Sequence, residues 1–198
     1  MSRTVSIILN SIIVVVMAVT YVTFFRREGK WSAANGRRPL KYFTFLSNVF
    51  CAVASLLVII FPDVYAVFLV KYAGTVAVTV TMVTVLVFLG PVLGYKRVLQ
   101  KQDFWLHIVN PVLAIVSFGV FERQALSVPA AFLGLLPVVL YGILYGYKVM
   151  LAPEEKRWED FYGFNKGGKW YISVCLMLLG TAAVCAAFRA VMYFTTAV

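Results

Sequence analysis

Six long apolar runs constrain the fold of this chain more than any other feature, because an α-helix needs roughly 20 apolar residues to cross a bilayer. The runs occupy residues 5–25, 42–61, 72–93, 104–121, 128–149 and 170–190. The connections between them are short, so consecutive helices should be antiparallel neighbours. The sequence therefore predicts an all-α integral membrane protein, a single domain over residues 1–198 built as a bundle of six transmembrane helices.

Composition supports this class, since 62% of the 198 residues are hydrophobic and only 13% are charged. The mean hydropathy of +0.89 is too high for a soluble domain. Cys51, Cys175 and Cys185 all fall inside predicted spans and show no CxxC spacing. The sequence therefore predicts neither a disulfide framework nor a metal site, and no cofactor.

Basic residues are distributed unevenly between the two sides of the predicted bundle. The loops after the first, third and fifth runs carry most of the 18 Lys and Arg residues. The positive-inside rule places these loops in the cytoplasm and both termini on the extracytoplasmic side. Because the basic residues follow the spans and form no single patch, the net charge of +10 indicates contact with anionic lipid head groups on the cytoplasmic face, and no nucleic acid.

Polar residues recur at helical spacing along three of the predicted helices. The stripes are Thr44, Ser47, Cys51 and Ser55 in the second helix, His107, Asn110, Ala114 and Ser117 in the fourth, and Tyr141, Tyr145 and Lys148 in the fifth. Polar groups in a span turn toward protein, so the stripes should converge on a cavity in the cytoplasmic half. The alternative is helix packing, where small polar residues are common in membranes.

Thr44 and His107 lie at matching depths, because both predicted helices enter the membrane from the same side and carry these residues in their first turns. We expect the two side chains to face each other within about hydrogen-bonding reach. A threonine hydroxyl is a weak nucleophile until a base takes its proton, and His107 is the only histidine in the chain. The alternative for each is structural, as an interfacial side chain bonded to the backbone.

Two short motifs carry a resemblance to a known family. The segment LKYFTFLSN, which contains Thr44, and the segment LHIVNP, which contains His107, resemble the signature of the androgen-induced and androgen-dependent membrane proteins and their bacterial six-helix relatives. Members of that family are intramembrane hydrolases that cleave fatty acid esters of hydroxy fatty acids with a threonine and a histidine. The resemblance implies a Thr44 nucleophile, a His107 base, a lipid ester substrate and a bacterial plasma membrane.

Several neighbours of this pair are candidates for supporting roles. Ser47, Asn48 and Asn110 could donate to an oxyanion, together with the amides that gather at the start of a helix. Asp103 lies four residues before His107 and could orient its ring, with N-capping of the fourth helix as the alternative. Tyr145 is a further candidate for support.

Arg37, Arg38 and Lys41 could hold a substrate carboxylate, although each also has a simpler use in setting the topology. Residues 153–169 combine aromatic and charged residues with glycines, which predicts a short interfacial helix that could cover the cavity as a lid or serve as an aromatic belt. At the opposite side, Glu122 and Arg189 are close enough in depth to predict an ion pair, with snorkelling of Arg189 as the alternative.

A rival function class is non-enzymatic, either a lipid-binding protein or a small-molecule carrier. Every Asp and Glu falls at a span end or in a loop. Ion-coupled carriers usually need carboxylates within the membrane, so the sequence favours the hydrolase over an ion-coupled carrier. A small-molecule carrier built on uncharged groups, or a lipid-binding scaffold, stays open.

Overall fold

The computed structural model describes residues 2–27 and 30–196, except for the side chains of Ser2 and Arg27. The chain is 84% helical. Among the described residues, six helices are long and apolar enough to cross a membrane. They are α1 (Ser2–Phe25), α3 (Phe43–Ile60), α4 (Tyr65–Leu93), α6 (Gln102–Phe121), α7 (Val128–Leu151) and α8 (Trp170–Thr196). The predicted all-α class with six membrane-length helices is therefore confirmed.

Short elements connect these helices. Strands β1 (Arg26–Arg27) and β2 (Lys30–Trp31) pair in an antiparallel hairpin after α1. Helix α2 (Ala33–Arg37) and a 3₁₀ turn (Arg38–Lys41) then lead into α3. Helix α5 (Tyr95–Val98) separates α4 from α6.

Two helices extend beyond their predicted apolar runs by more than one helical turn. Helix α4 begins at Tyr65, well before residue 72, and α8 continues to Thr196 past residue 190. The predicted run begins directly after Lys71, because a charged side chain normally marks the edge of a span. The structure instead buries Lys71 completely inside the bundle, at 0% exposure, so the helix runs through it.

Residues 153–169 do not form the predicted interfacial helix. Their regular structure consists of two 3₁₀ turns, Glu154–Lys156 and Lys166–Gly168. Gly163 and Gly167 have φ angles of 66° and 64°, in the left-handed region that interrupts a right-handed helix. We call residues 153–169 the connecting segment, since it joins α7 to α8.

Helix α4 is central in the bundle and contacts α3, α6, α7 and α8, while α3 packs most extensively against α4 and α1. The approach to α4 is close, because a Cβ atom added at Gly74 would lie 3.1 Å from the Cα atom of Cys51. Small residues allow such approaches in membranes, where van der Waals packing drives helix association. Helix α6 packs against α4 and α1, and it thereby comes alongside α3.

The two ends of the bundle differ in what they contain. An ion pair between Arg3 and Asp63 and a shared apolar cluster of Phe68, Leu126 and Met192 place both chain termini at one end, which we call the terminal end. The opposite end holds the start of α3, the start of α6 and the connecting segment. We call it the His107 end.

Candidate active site

Thr44 and His107 meet at the His107 end of the bundle. Thr44 is the second residue of α3, and its Oγ1 atom lies 3.3 Å from Nε2 of His107. His107 lies in a π-helical turn of α6 (Trp105–Val109), a local widening that often occurs at functional sites. The predicted juxtaposition of these two side chains is therefore present, while their catalytic roles stay a prediction.

The hydrogen bonds of the imidazole define its tautomer. Nδ1 of His107 lies 2.7 Å from the carbonyl oxygen of Val98, in α5. A carbonyl can only accept, so Nδ1 carries the proton and Nε2 keeps a free lone pair. That lone pair faces the Thr44 hydroxyl. The ring is 9% exposed, so water has little access to compete for this contact.

Asp103 takes neither of its two predicted roles. The residue that accepts from the imidazole is Val98, so no Asp103–His107 hydrogen bond completes a triad. The N-cap position of α6 is Lys101, and Asp103 is already inside the helix. The chain reverses sharply between α5 and α6, and this brings a backbone carbonyl to the ring that sequence spacing could not reveal. Asp103 still lies near enough to His107 for a direct electrostatic effect.

Asn48 connects the backbones of the two helices that carry Thr44 and His107. Its side-chain amide donates to the carbonyl of Thr44 at 2.7 Å and to the carbonyl of Leu106 at 3.0 Å. Its Oδ1 atom accepts from the Asn110 amide at 3.1 Å, and Asn48 is 0% exposed. Both amide protons of Asn48 are therefore used. In this structure Asn48 has no amide proton left for an oxyanion, and it braces α3 against α6.

Ser47 is also engaged. Its hydroxyl donates to the carbonyl of Thr44 at 3.0 Å and shares a hydrogen bond of 3.0 Å with the hydroxyl of Thr81 in α4. Asn110 directs one of its amide protons to Asn48. Ser47 and Asn48 thus hold the backbone carbonyl of Thr44. The contacts of Ser47 leave no free proton for its expected oxyanion role, whereas no described residue accepts the second amide proton of Asn110, whose role stays a prediction.

The connecting segment contributes a residue that the sequence did not identify as part of the site. The hydroxyl oxygen of Tyr162 accepts a hydrogen bond of 3.0 Å from the amide of Phe43, the residue before Thr44. It also lies beside the backbone and side chain of Thr44. Burial raises the pKa of Tyr162 above its usual value, so the phenol stays protonated at neutral pH. The connecting segment thus lies over the start of α3, where the sequence predicts a cavity.

Tyr145 anchors the connecting segment and makes no contact with the Thr44–His107 pair. Its hydroxyl accepts from the Tyr162 amide at 3.1 Å and donates to the Asp160 carboxylate at 3.0 Å. The same carboxylate accepts from the amides of Phe164 at 2.7 Å and Asn165 at 2.8 Å. Tyr145 therefore supports the site indirectly, by fixing the loop that carries Tyr162.

The three basic residues predicted to hold a substrate carboxylate are placed differently. Lys41 stacks its ammonium group against the rings of Tyr42 at 5.1 Å and Phe161 at 5.4 Å. It is partly buried and lies three residues before Thr44. Arg37 and Arg38 are exposed at the bundle surface. Of the three, Lys41 is thus the residue that the structure brings next to the connecting segment.

A second polar cluster lies in the half of the bundle toward the terminal end. Lys71 donates to the hydroxyl of Ser55 at 2.8 Å. One carboxylate oxygen of Glu122 accepts from Asn10 at 2.6 Å and also from Ser6 and Ser117. The sequence placed Glu122 at a span end, yet its side chain turns inward, so the expectation that no carboxylate reaches the interior is wrong. Ser55 and Ser117 are partners of charged groups and are more than packing residues.

The predicted ion pair between Glu122 and Arg189 is not formed. Glu122 faces the polar side chains of α1 and α6, which satisfy one of its oxygens. Among the described residues, the ion pair that the structure contains joins Arg3 to Asp63 at 3.5 Å. Glu122 also lines a cleft of about 180 Å³ at the terminal end, together with Arg3 and Asp63.

Within residues 2–27 and 30–196, no three His, Cys, Asp or Glu side chains gather in a way that could hold a metal ion. All three cysteines are free. Comparisons with protein-family models, with curated proteins and with solved structures find no match for this chain. The family resemblance of the two short motifs therefore stays a prediction from the sequence.

Proposed function

We propose that this protein is an intramembrane lipid ester hydrolase with Thr44 as nucleophile and His107 as general base. The observation that carries the proposal is the contact of 3.3 Å between the Thr44 hydroxyl and Nε2 of an imidazole whose other nitrogen is bound to a carbonyl. A nucleophile, a base and a group that orients the base are the three parts that such chemistry requires. Here the orienting group is the backbone of Val98.

The reaction follows from these positions. The Thr44 hydroxyl attacks the ester carbonyl while Nε2 of His107 takes its proton, which gives a tetrahedral intermediate with a negative oxygen. The intermediate collapses to an acyl-threonine, and the imidazolium returns the proton to the departing alcohol. Water then attacks the acyl group with His107 again as base, and the collapse of the second intermediate releases the carboxylic acid and restores Thr44.

The substrate class in this proposal is a fatty acid ester of a hydroxy fatty acid, as the motif resemblance implies. Such a molecule would enter sideways from the lipid and place its ester at the depth of the first turn of α3. Lys41, with its ammonium group held at the edge of the connecting segment, is the residue best placed to receive a carboxylate.

The proposed orientation places the His107 end in the cytoplasm and both termini outside. Its support is the distribution of charge, because the loops at the His107 end carry most of the Lys and Arg residues. Anionic head groups of the same leaflet would contact these residues, and a bacterial plasma membrane is the proposed location.

One observation favours a second candidate, a membrane carrier. Lys71 is fully buried and Glu122 turns inward, and ionisable groups within the membrane often mark ion or substrate pathways. The two candidates differ in which residues matter. A carrier would lose transport in Glu122→Gln and keep it in Thr44→Ala. A hydrolase would lose ester turnover in Thr44→Ala and keep it in Glu122→Gln.

The test is hydrolysis of long-chain esters by the purified protein in detergent, normalised to folded protein. Thr44→Ala and His107→Ala should each abolish most turnover, and the double variant should be hardly slower than either, because the members of a catalytic unit act together. Thr44→Ser should keep part of the activity, since the hydroxyl survives. Thr79→Val is the matched control, because the Thr79 hydroxyl bonds only to a carbonyl of its own helix. Wild-type turnover in Thr44→Ala across several lipid esters would refute the proposal.

A further inference from the structure

The tetrahedral intermediate of ester hydrolysis needs hydrogen-bond donors for its negative oxygen, and most of the polar groups near Thr44 have none to offer. Asn48 uses both amide protons on carbonyls, and Ser47 directs its hydroxyl to the Thr44 carbonyl. The amides of Phe45 and Leu46 donate to the carbonyl of Tyr42. None of these groups therefore has a proton left for the oxyanion, and another donor is needed.

Tyr162 provides one. Its hydroxyl oxygen lies 3.0 Å from the amide nitrogen of Phe43 and beside the backbone and side chain of Thr44. In that bond the tyrosine accepts, so its own proton is still available. A hydroxyl that accepts from a helix amide is polarised and becomes a stronger donor, because hydrogen bonds in a chain reinforce one another.

We propose that the Tyr162 hydroxyl is a catalytic residue that donates a hydrogen bond to the oxyanion formed when Thr44 attacks an ester. This inference rests on the proposed function and names a residue that the two motifs do not contain. Tyr162 keeps its proton throughout the cycle, and the charge that develops on the carbonyl oxygen is shared along the line Tyr162 hydroxyl, Phe43 amide and the positive end of the α3 dipole.

The surroundings of Tyr162 suit a fixed donor. Tyr145 accepts from the Tyr162 amide, and the ring of Tyr162 packs against those of Tyr141, Tyr145 and Phe161. The Asp160 carboxylate holds the turn that follows. A donor that is held in place before the reaction loses little free energy to reorganisation, which is the condition for strong stabilisation of a transition state.

The test compares Tyr162→Phe with wild type in two assays, steady-state hydrolysis of a long-chain ester and the rate at which a fluorophosphonate probe labels Thr44. Tyr162→Phe removes one hydroxyl and keeps the ring. We expect kcat to fall by about 10²-fold with little change in KM, because removal of a single oxyanion donor has an effect of that order. Labelling should slow by a similar factor. Tyr65→Phe is the control, since it removes an exposed hydroxyl that donates to Ala125 at the terminal end, and both of its rates should match wild type.

Tyr145→Phe separates catalysis from packing, because it loosens the connecting segment without removing the Tyr162 hydroxyl. Limited proteolysis of residues 153–169 reports that loosening. If Tyr162→Phe also loosens the segment, it must still be about tenfold slower than Tyr145→Phe, as the loss of a direct donor requires.

Three results would overturn the inference. An unchanged kcat in Tyr162→Phe, or equal losses in Tyr162→Phe and Tyr145→Phe, would show that the hydroxyl is structural. A faster Tyr162→Phe would show that the hydroxyl blocks the oxyanion position. Each of these results would leave the proposed hydrolase function unaffected. A wild-type protein that neither hydrolyses esters nor reacts with the probe at Thr44 would overturn both proposals together.

Discussion

Replacement of Asn48 by leucine should weaken both the fold and the proposed reaction, because Asn48 ties the backbone of Thr44 to that of Leu106. The substitution keeps the size and branching of the side chain and removes three buried hydrogen bonds. These are the bonds to the carbonyls of Thr44 and Leu106 and the bond from Asn110. The variant leaves the Leu106 carbonyl and the Asn110 amide without this partner, while the Thr44 carbonyl keeps its bond from Ser47.

The expected cost can be worked from these contacts. Polar contacts between membrane helices contribute about 0.6 kcal/mol each on average, and buried hydrogen bonds in general about 1 kcal/mol. Three bonds therefore give a loss of roughly 2–3 kcal/mol in the free energy of unfolding. The catalytic effect comes from position, since a displacement of ~1 Å between nucleophile and base can slow a reaction by about 10²-fold.

The assay for stability is equilibrium unfolding in mixed detergent micelles, followed by helicity, and the assay for position is ester turnover per folded molecule. Thr79→Val is again the matched control, with an expected loss of about 0.6 kcal/mol or less, because only a bond within its own helix disappears. If Asn48→Leu unfolds at the same detergent ratio as Thr79→Val and keeps full turnover, then Asn48 is not a brace and the reasoning fails.

Three further predictions concern other parts of the molecule. Asp103→Asn should reduce turnover less than tenfold, because Val98 and not Asp103 orients the ring of His107; a loss near that of His107→Ala would restore the triad. Ser55→Ala should destabilise the protein by about 1–3 kcal/mol, as the Lys71 ammonium loses its hydroxyl partner, and this loss should vanish in a Lys71→Met background, as a double-mutant cycle in detergent would measure. Asp160→Ala should make residues 153–169 cleavable in limited proteolysis under conditions that leave wild type intact, since the carboxylate holds two amides and the Tyr145 hydroxyl; equal cleavage rates would contradict this.

The bundle was predictable from the sequence because hydropathy alone locates membrane helices. Spacing was also informative, since residues three and four apart share a helical face and place Thr44 with Ser47 and His107 with Asn110. The depth of each residue in the membrane could be predicted from the side on which its helix enters. Together these three local rules are sufficient to bring Thr44 opposite His107, and the structure places the pair at 3.3 Å.

Two of the contacts that sequence reasoning missed depend on where loops return. Val98 reaches the ring of His107 because the chain turns back between α5 and α6, with Lys101 at a φ of 49°. Tyr162 reaches Phe43 across 119 positions of sequence. No periodic pattern encodes such contacts, because irregular segments are positioned by tertiary packing and by particular hydrogen bonds.

The inward orientation of two charged residues near the terminal end was not predicted, for a related reason. Hydropathy treats a lysine as a boundary, yet Lys71 lies within α4 and is 0% exposed. Glu122 is predicted at the end of a span, and its carboxylate points back to Asn10. Whether a charge at the edge of a span turns outward or inward depends on the partners that neighbouring helices present. Ser117 of α6 and the polar side chains Ser6 and Asn10 of α1 come together around Glu122 only in the folded bundle.

The central claim is that Thr44 forms a covalent bond with the acyl group of its substrate. Its most direct test is mass spectrometry of the purified protein after reaction with a fluorophosphonate that carries a long alkyl chain. The hydrolase proposal predicts one adduct, mapped to Thr44, that is absent in Thr44→Ala and forms much more slowly in His107→Ala. Labelling of a different residue, or equal labelling in Thr44→Ala, would contradict it.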